Sequence, residues 1–225
     1  MAKSLTLNYQ EAVHVTGFLR RLRDWDSTAV VRIQTRGKVV AFWASTPMDC
    51  LAFIAVPLAQ PVEEDIDTVV FVARLRDIFG DLSNLTDDNR VASYLLPDDL
   101  PAPLNLQELP PSQGWIVADQ QTCGSLKTHV DDAIAEFHRQ VAQVPHADDK
   151  LRDFIATEIW KRPGVASFPV KGLHAARLLG FLSIENARTE IASNGKWKRL
   201  ITPAGQVFFD SEPKKPSLRV ISVKR

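Results

Sequence analysis

Cysteine is nearly missing from this chain: Cys50 and Cys123 are the only two in 225 residues. They are far apart and lack the close spacing of a metal knuckle or a redox pair, so a disulfide-stapled secreted fold is excluded and a reducing cytoplasm fits best. Each reads as a small buried hydrophobe. Long apolar runs are missing too. The longest, Cys50 to Ala59, is interrupted by Pro57, whereas a membrane-spanning helix needs roughly 20 apolar residues. No apolar leader follows Met1, so neither secretion nor a membrane partner is expected, and the sequon Asn84-Leu85-Thr86 is idle in that compartment.

Catalytic signatures are also lacking. The sequence has no Gly-rich Lys-Ser/Thr phosphate loop, no dinucleotide fingerprint, no Gly-x-Ser-x-Gly elbow and no His-Glu-x-x-His pair. The expectation is therefore no cofactor, no metal and no assigned catalytic residue. Net charge is zero, with 27 basic and 27 acidic residues, so the whole molecule has no field that would draw a polyanion. The balance is local instead. Between Gln60 and Pro110 eleven acids oppose three arginines, and between Arg188 and Arg225 nine basic residues oppose three acids.

What is present is ordinary globular composition, 45% hydrophobic and 24% charged, enough for one large core or two modest ones. Leu5 to Asn8 reads as a short strand and Tyr9 to Trp25 as a helix, because Val15, Phe18, Leu22 and Trp25 recur at three or four. Val31, Ile33 and Thr35 alternate with Arg32, Gln34 and Arg36 before Gly37-Lys38, as a hairpin requires. Val39 to Ala44 and Cys50 to Leu58 are apolar on nearly every residue, which predicts strands covered on both faces, by helices. Thr68 to Phe79 reads as a strand running into a helix. Between Gly80 and Gly114 five prolines interrupt regular structure, which marks 97–113 as a linker between an α+β sheet domain, 1–96, and a helical and hairpin domain, 114–225; a single domain over 1–225 is the alternative.

After Trp115 the pattern turns helical. Ser125 can cap a helix whose stripe is Leu126, Val130, Ile134, Phe137, Val141 and Val144, and Asp148 or Asp149 can start another bearing Leu151, Ile155 and Ile159. A short helix over Lys171 to Phe181 follows. Strands are expected over Arg188 to Ser193, Lys196 to Ile201 and Gln206 to Asp210, with Asn194-Gly195 as a tight turn and Ser217 to Val223 as an added edge. No internal repeat is visible. The fold class expected is α+β, a mostly antiparallel N-terminal sheet covered by helices, then C-terminal helices and a β-hairpin or meander.

Polar residues that might do chemistry are few. His129 and His138 are nine apart on one helix, hence on opposite faces. The remaining histidines are His14, His146 and His174, of which His174 can serve as a base, with Glu158 or Asp153 as an acid. Paired carboxylates such as Glu63-Glu64 and Asp98-Asp99 sit near turns and suit capping and solubility better than catalysis. The most suggestive cluster is basic: Lys196, Lys198 and Arg199 around Trp197, with Lys214 and Lys215 beyond. Helices followed by a basic hairpin are how winged nucleic-acid-binding domains look. On a strand, however, Lys196 and Lys198 share one face while Trp197 and Arg199 share the other.

Gly114-Trp115, Ile159-Trp160-Lys-Arg-Pro-Gly, Leu178-Leu-Gly-Phe-Leu182 and Gly195-Lys-Trp-Lys-Arg-Leu-Ile-Thr-Pro-Ala-Gly-Gln-Val207 together resemble an uncharacterised family of actinobacterial proteins, over about Pro110 to Phe209. That resemblance implies a bacterial cytoplasmic protein and supplies no catalytic residue. The first half, as strand, helix, hairpin, strand and then strand or helix, is similar to a half-domain of DNA sliding clamps. It implies basic helix faces turned toward DNA, for which Arg20, Arg21 and Arg23 would suit, although the acidic path from Gln60 to Pro110 departs from that pattern. The expectation is a non-catalytic binding or regulatory protein. The alternatives are nucleic-acid association through the basic hairpin and tail, and a small enzyme. Self-association into a homo-oligomer is expected from the hairpin edge and the apolar Phe42 to Phe53 region.

Overall fold

The computed structural model describes residues 3–80, 90–144 and 148–212. It is an α+β fold. Strand β1 (Ser4–Asn8) passes directly into helix α1 (Tyr9–Trp25), which buries Ala12, Val15, Phe18, Leu19 and Leu22 as one stripe. A three-stranded meander follows: β2 (Val30–Arg36), β3 (Val39–Ser45) and β4 (Cys50–Pro57). Gly37, at φ +60°, supplies the left-handed residue that the β2–β3 turn needs. Then β5 (Asp67–Phe71) runs straight into α2 (Val72–Phe79), as the mixed pattern foretold. Strand β6 (Val91–Leu95) returns to pair antiparallel with β1 in a sheet of two. One helical turn, α3 (Leu104–Gln107), interrupts the proline-rich stretch.

The second half repeats the order of the first, a repeat that sequence inspection did not reveal. Strand β7 (Ile116–Thr122) leads into α4 (Cys123–Ala142), and β8 (Arg188–Asn194), β9 (Trp197–Thr202) and β10 (Gly205–Asp210) form the meander. Between helix and meander lies an addition without counterpart in the first half: α5 (Asp149–Trp160) and α6 (Val170–Leu178). The β7 segment was expected to be helical. None of its residues is fully buried, and Asp119 and Gln121, the half-buried ones, are polar, so no apolar alternation betrays it. The α4 cap also moves. Thr122, not Ser125, is the N-cap, and its Oγ1 accepts from the Ser125 amide at 3.1 Å. Asp148 caps α5 as expected, accepting from the Leu151 amide.

The two meanders join where β4 pairs antiparallel with β10, Phe53 opposite Gln206 and Cys50 opposite Phe209. The result is one eight-stranded sheet in the order β5-β2-β3-β4-β10-β9-β8-β7. Val31, Ile33, Val40, Phe42, Ile54, Ile191, Leu200 and Val207 share a buried cluster with Phe18 and Leu22 of α1, Leu75 of α2, Leu126 and Val130 of α4 and Leu173 of α6. That face is covered by helices. The opposite face is not, contrary to expectation: Leu51, Phe208 and Trp197, with Trp43, Phe53 and Trp115 beside them, are closed by Leu106 and Leu109 of the proline-rich stretch. An apolar surface this large must be covered, and a strap carrying the single helical turn α3 does it here.

Candidate interaction surfaces

The hairpin cations singled out from the sequence are drawn apart. Lys196 lies in the β8–β9 turn, ion-paired with Glu108 at 2.7 Å and Asp210 at 3.2 Å, and its ammonium stands over the Trp197 ring. These acids hold its pKa up, Glu108 first. Lys198 donates to the Ser167 carbonyl at 2.6 Å. Arg199 is on the other face, stacked 4.4 Å from the Trp115 ring centroid with only 16% of its side chain exposed. Burial pulls its pKa down, opposed by Glu190. Each of the three is engaged within the fold. Lys214 and Lys215 lie outside the described residues, as do His146 and the added edge at 217–223.

The cations of the helical side are the Arg20, Arg21 and Arg23 noted in the sequence, with Arg74 added. Arg20, Arg21 and Arg23 of α1 and Arg74 of α2 are exposed, and α1 packs beside α2. Among the described residues none of the four has an ion pair, although Arg21 donates to the Gly17 carbonyl at 3.2 Å. Three of them stand close together in the sequence of α1; Arg74, on the neighbouring helix, was not singled out there.

The groups weighed for acid-base work do not share an environment. His174 on α6 meets Trp160 of α5 edge to face, ring centroids 4.5 Å apart, while Asp153 and Glu158 are exposed on α5. Burial pushes the His174 pKa down and Arg177 adds to this. His14 is lowered likewise by burial, against a hydrogen bond to the backbone of Ala204. His129 and His138 are exposed along α4. Among the described residues no group of three or more His, Cys, Asp or Glu could hold a metal, and no helix is long and apolar enough to cross a membrane.

Two sheet edges complete the survey. β7 closes one end of the large sheet and β6 one side of the small sheet. Ile116 is 72% exposed and Leu95 59%, with Val117 and Val91 about half exposed beside them. The Phe42 to Phe53 region, expected to self-associate, is instead interior: β3 and β4 have strand neighbours on both sides.

A strand, a helix and a three-stranded meander, given twice and fused through one sheet with its helices on one side, define a sliding-clamp-like fold. The crystal structure of the DNA polymerase sliding clamp from Pseudomonas aeruginosa superposes with a TM-score of 0.57 at 12% identity, covering 95% of this chain and 66% of that one. Caulobacter crescentus pol III beta gives 0.56 at 10%, covering 99% and 70%. The chain thus spans about two thirds of the length of the clamp structures it matches. Residues 1–92 match the profile described as Domain of unknown function (DUF8010), and residues 110–213 that described as Domain of unknown function (DUF8185). The likeness of the second half to an uncharacterised family therefore holds, and the first half matches a separate profile of unknown function. No curated protein matches the sequence.

Proposed function

We propose that this protein is a non-catalytic, clamp-like scaffold whose helical layer rests against a polyanion of the nucleic-acid class. The observation that carries the reading is the set of four guanidinium groups, Arg20, Arg21, Arg23 and Arg74, on two adjacent helices and without ion pairs among the described residues. The clamp-like order of elements supports it, and so does the opposite face, which its own strap already occupies. Phosphate contacts need solvated cations that can shed counterions, and Lys196 and Arg199, spent on Glu108 and Trp115, suit that work less. The test is fluorescence anisotropy with a labelled duplex at two salt concentrations. Wild-type protein binds at low salt and weakens at high salt. Replacing Arg20, Arg23 and Arg74 by Gln lowers the salt slope by about 3 on a log-log plot, at roughly 0.9 per phosphate contact. The combined variant Lys214→Gln and Lys215→Gln separates the tail's contribution. Absence of binding at low salt sinks the reading.

A second reading is self-association through the open edges. It is favoured by the exposed Val91, Leu95, Ile116 and Val117 on β6 and β7, since an unpaired apolar edge invites another strand. Joining β6 of one copy to β7 of the next makes a head-to-tail contact that closes into a ring or runs on as a filament. Light scattering tests it. Val117→Lys lowers the assembled mass, and a monomeric mass at every concentration removes the idea.

A further inference from the structure

The strap on the outer face of the sheet is docked in the manner of a bound peptide. Leu106 is fully buried against Leu51, Trp197 and Phe208, and Leu109 packs beside it. The aromatic floor is continuous: Trp43 lies 4.3 Å from Phe53 and 5.3 Å from Phe208, and Trp115 lies 5.7 Å from Phe208, centroid to centroid. Two cations read the polar groups of the strap. Arg32 Nη1 donates to the Leu106 carbonyl at 2.7 Å, and Lys196 Nζ holds the Glu108 carboxylate at 2.7 Å. Between these contacts the strap presents other side chains to water, while Asn105 is half-buried and donates to Ser45 Oγ. Leu104 is 70% exposed, and Gln107 and Glu108 are exposed.

Both cations are held in place by residues outside the strap. Asp67 grips Arg32 through two hydrogen bonds, at 2.8 and 2.7 Å, and Asp210 holds Lys196 at 3.2 Å. A surface whose polar readers stay oriented, and whose floor is a packed aromatic layer, keeps its shape when its cover leaves. Such preorganisation separates a binding site from a mere patch of core. The floor draws on both halves, Trp43 and Phe53 from the first and Phe208 and Trp197 from the second, and the covering residues Leu104 to Glu108 belong to neither matched family profile.

We propose that the strap is an internal pseudo-ligand, and that the platform beneath it binds a short leucine-anchored acidic segment of another protein in competition with Leu106-Gln-Glu-Leu109. The partner needs two apolar anchors spaced as Leu106 and Leu109 are, a carbonyl for Arg32 and a carboxylate for Lys196. This proposal is carried by the face opposite α1 and α2 and is independent of the nucleic-acid reading.

The probe is a fluorescent synthetic peptide copying residues 102–111, titrated into the full chain. In wild-type protein the strap occupies the platform and lowers the apparent affinity by the fraction of time it is docked. The double variant Leu106→Ala, Glu108→Gln loosens the strap without touching the platform, and the peptide binds it at least about tenfold more tightly. Adding Arg32→Gln to that background weakens binding again, and a peptide with its own leucines replaced by alanine does not bind. Equal affinity for wild-type and loosened protein overturns the proposal. So does absence of binding to a loosened variant that keeps a cooperative thermal transition. Should the double variant fail to fold, Glu108→Gln alone, which removes the 2.7 Å ion pair to Lys196, supplies the same comparison.

Discussion

The same substitution, glycine to alanine, should have opposite signs in two helices of this molecule. In each helix alanine is intrinsically favoured over glycine by about 1 kcal/mol. At Gly17 on α1 a new Cβ meets only the flexible end of Arg21, 3.3 Å away, so most of that gain survives. At Gly172 on α6 it would lie 2.5 Å from Cε1 and 3.0 Å from Cζ of Phe168, a fully buried ring in the main cluster. Overpacking of this kind costs about 1–3 kcal/mol. Taking the upper part of that range, because the ring is fully buried and the 2.5 Å approach lies far inside van der Waals contact, Gly172→Ala loses about 1–2 kcal/mol net, while Gly17→Ala gains about 0.5–1 kcal/mol. Urea unfolding reads this directly. With a slope of about 2 kcal/mol per molar, the Gly172→Ala midpoint falls by roughly 0.5–1 M at unchanged slope. Phe168→Leu in that background recovers part of the loss, because the two sites touch. A Gly172→Ala protein as stable as wild type would refute the steric argument.

Acid should destabilise the fold in a first phase set by histidine. His14 and His174 both have lowered pKa values in the folded state, so as pH falls through about 6.5 the unfolded chain takes up protons more readily and stability drops. Replacing both by Gln flattens thermal stability between pH 7 and 5.5, and an unchanged slope would reject the assignment. Trp115→Ala, which removes the ring under Arg199 and beside Phe208, lowers stability by about 2 kcal/mol in urea titration. Arg199→Met leaves stability within about 1 kcal/mol of wild type, since it exchanges a largely buried cation for an apolar chain of like length. A loss beyond 2 kcal/mol there would mean that the Glu190 contact at 3.7 Å matters more than its length suggests.

Elements with one wet and one dry face were legible before any coordinates. The Tyr9–Trp25 helix and the hairpin about Gly37-Lys38 follow from spacing because each buries one side and solvates the other, and the passage of β5 into α2 follows from a β-branched run giving way to helical spacing. β7 was hidden for the converse reason: Ile116 to Thr122 has no fully buried residue, and its strand character comes from pairing with β8, a partner some seventy residues away. The proline-rich stretch announced an absence of regular structure but not where it lay, since Leu106 is buried only because Trp197 and Phe208 arrive from elsewhere. Charge misled in the same way. Lys196, Lys198 and Arg199 stand out as a run in the sequence, yet Glu108, the Ser167 carbonyl and Trp115, all distant in the chain, absorb them. Arg20, Arg21 and Arg23 were legible as a basic stretch of one helix, and Arg74 joined them only when α1 met α2.

The pairing of β4 with β10 has a bearing on how the protein is made. Cys50 waits for Phe209, so for most of synthesis the first meander carries a bare side along Cys50 to Phe53 while the partner is still being translated. Until β10 leaves the ribosome, nothing in the nascent chain can zip that flank shut, and contacts so remote in sequence form slowly. The risk of misassembly is therefore greatest late, and a polypeptide halted before Gly205 would present the cell's quality control with half a sheet and an adhesive margin.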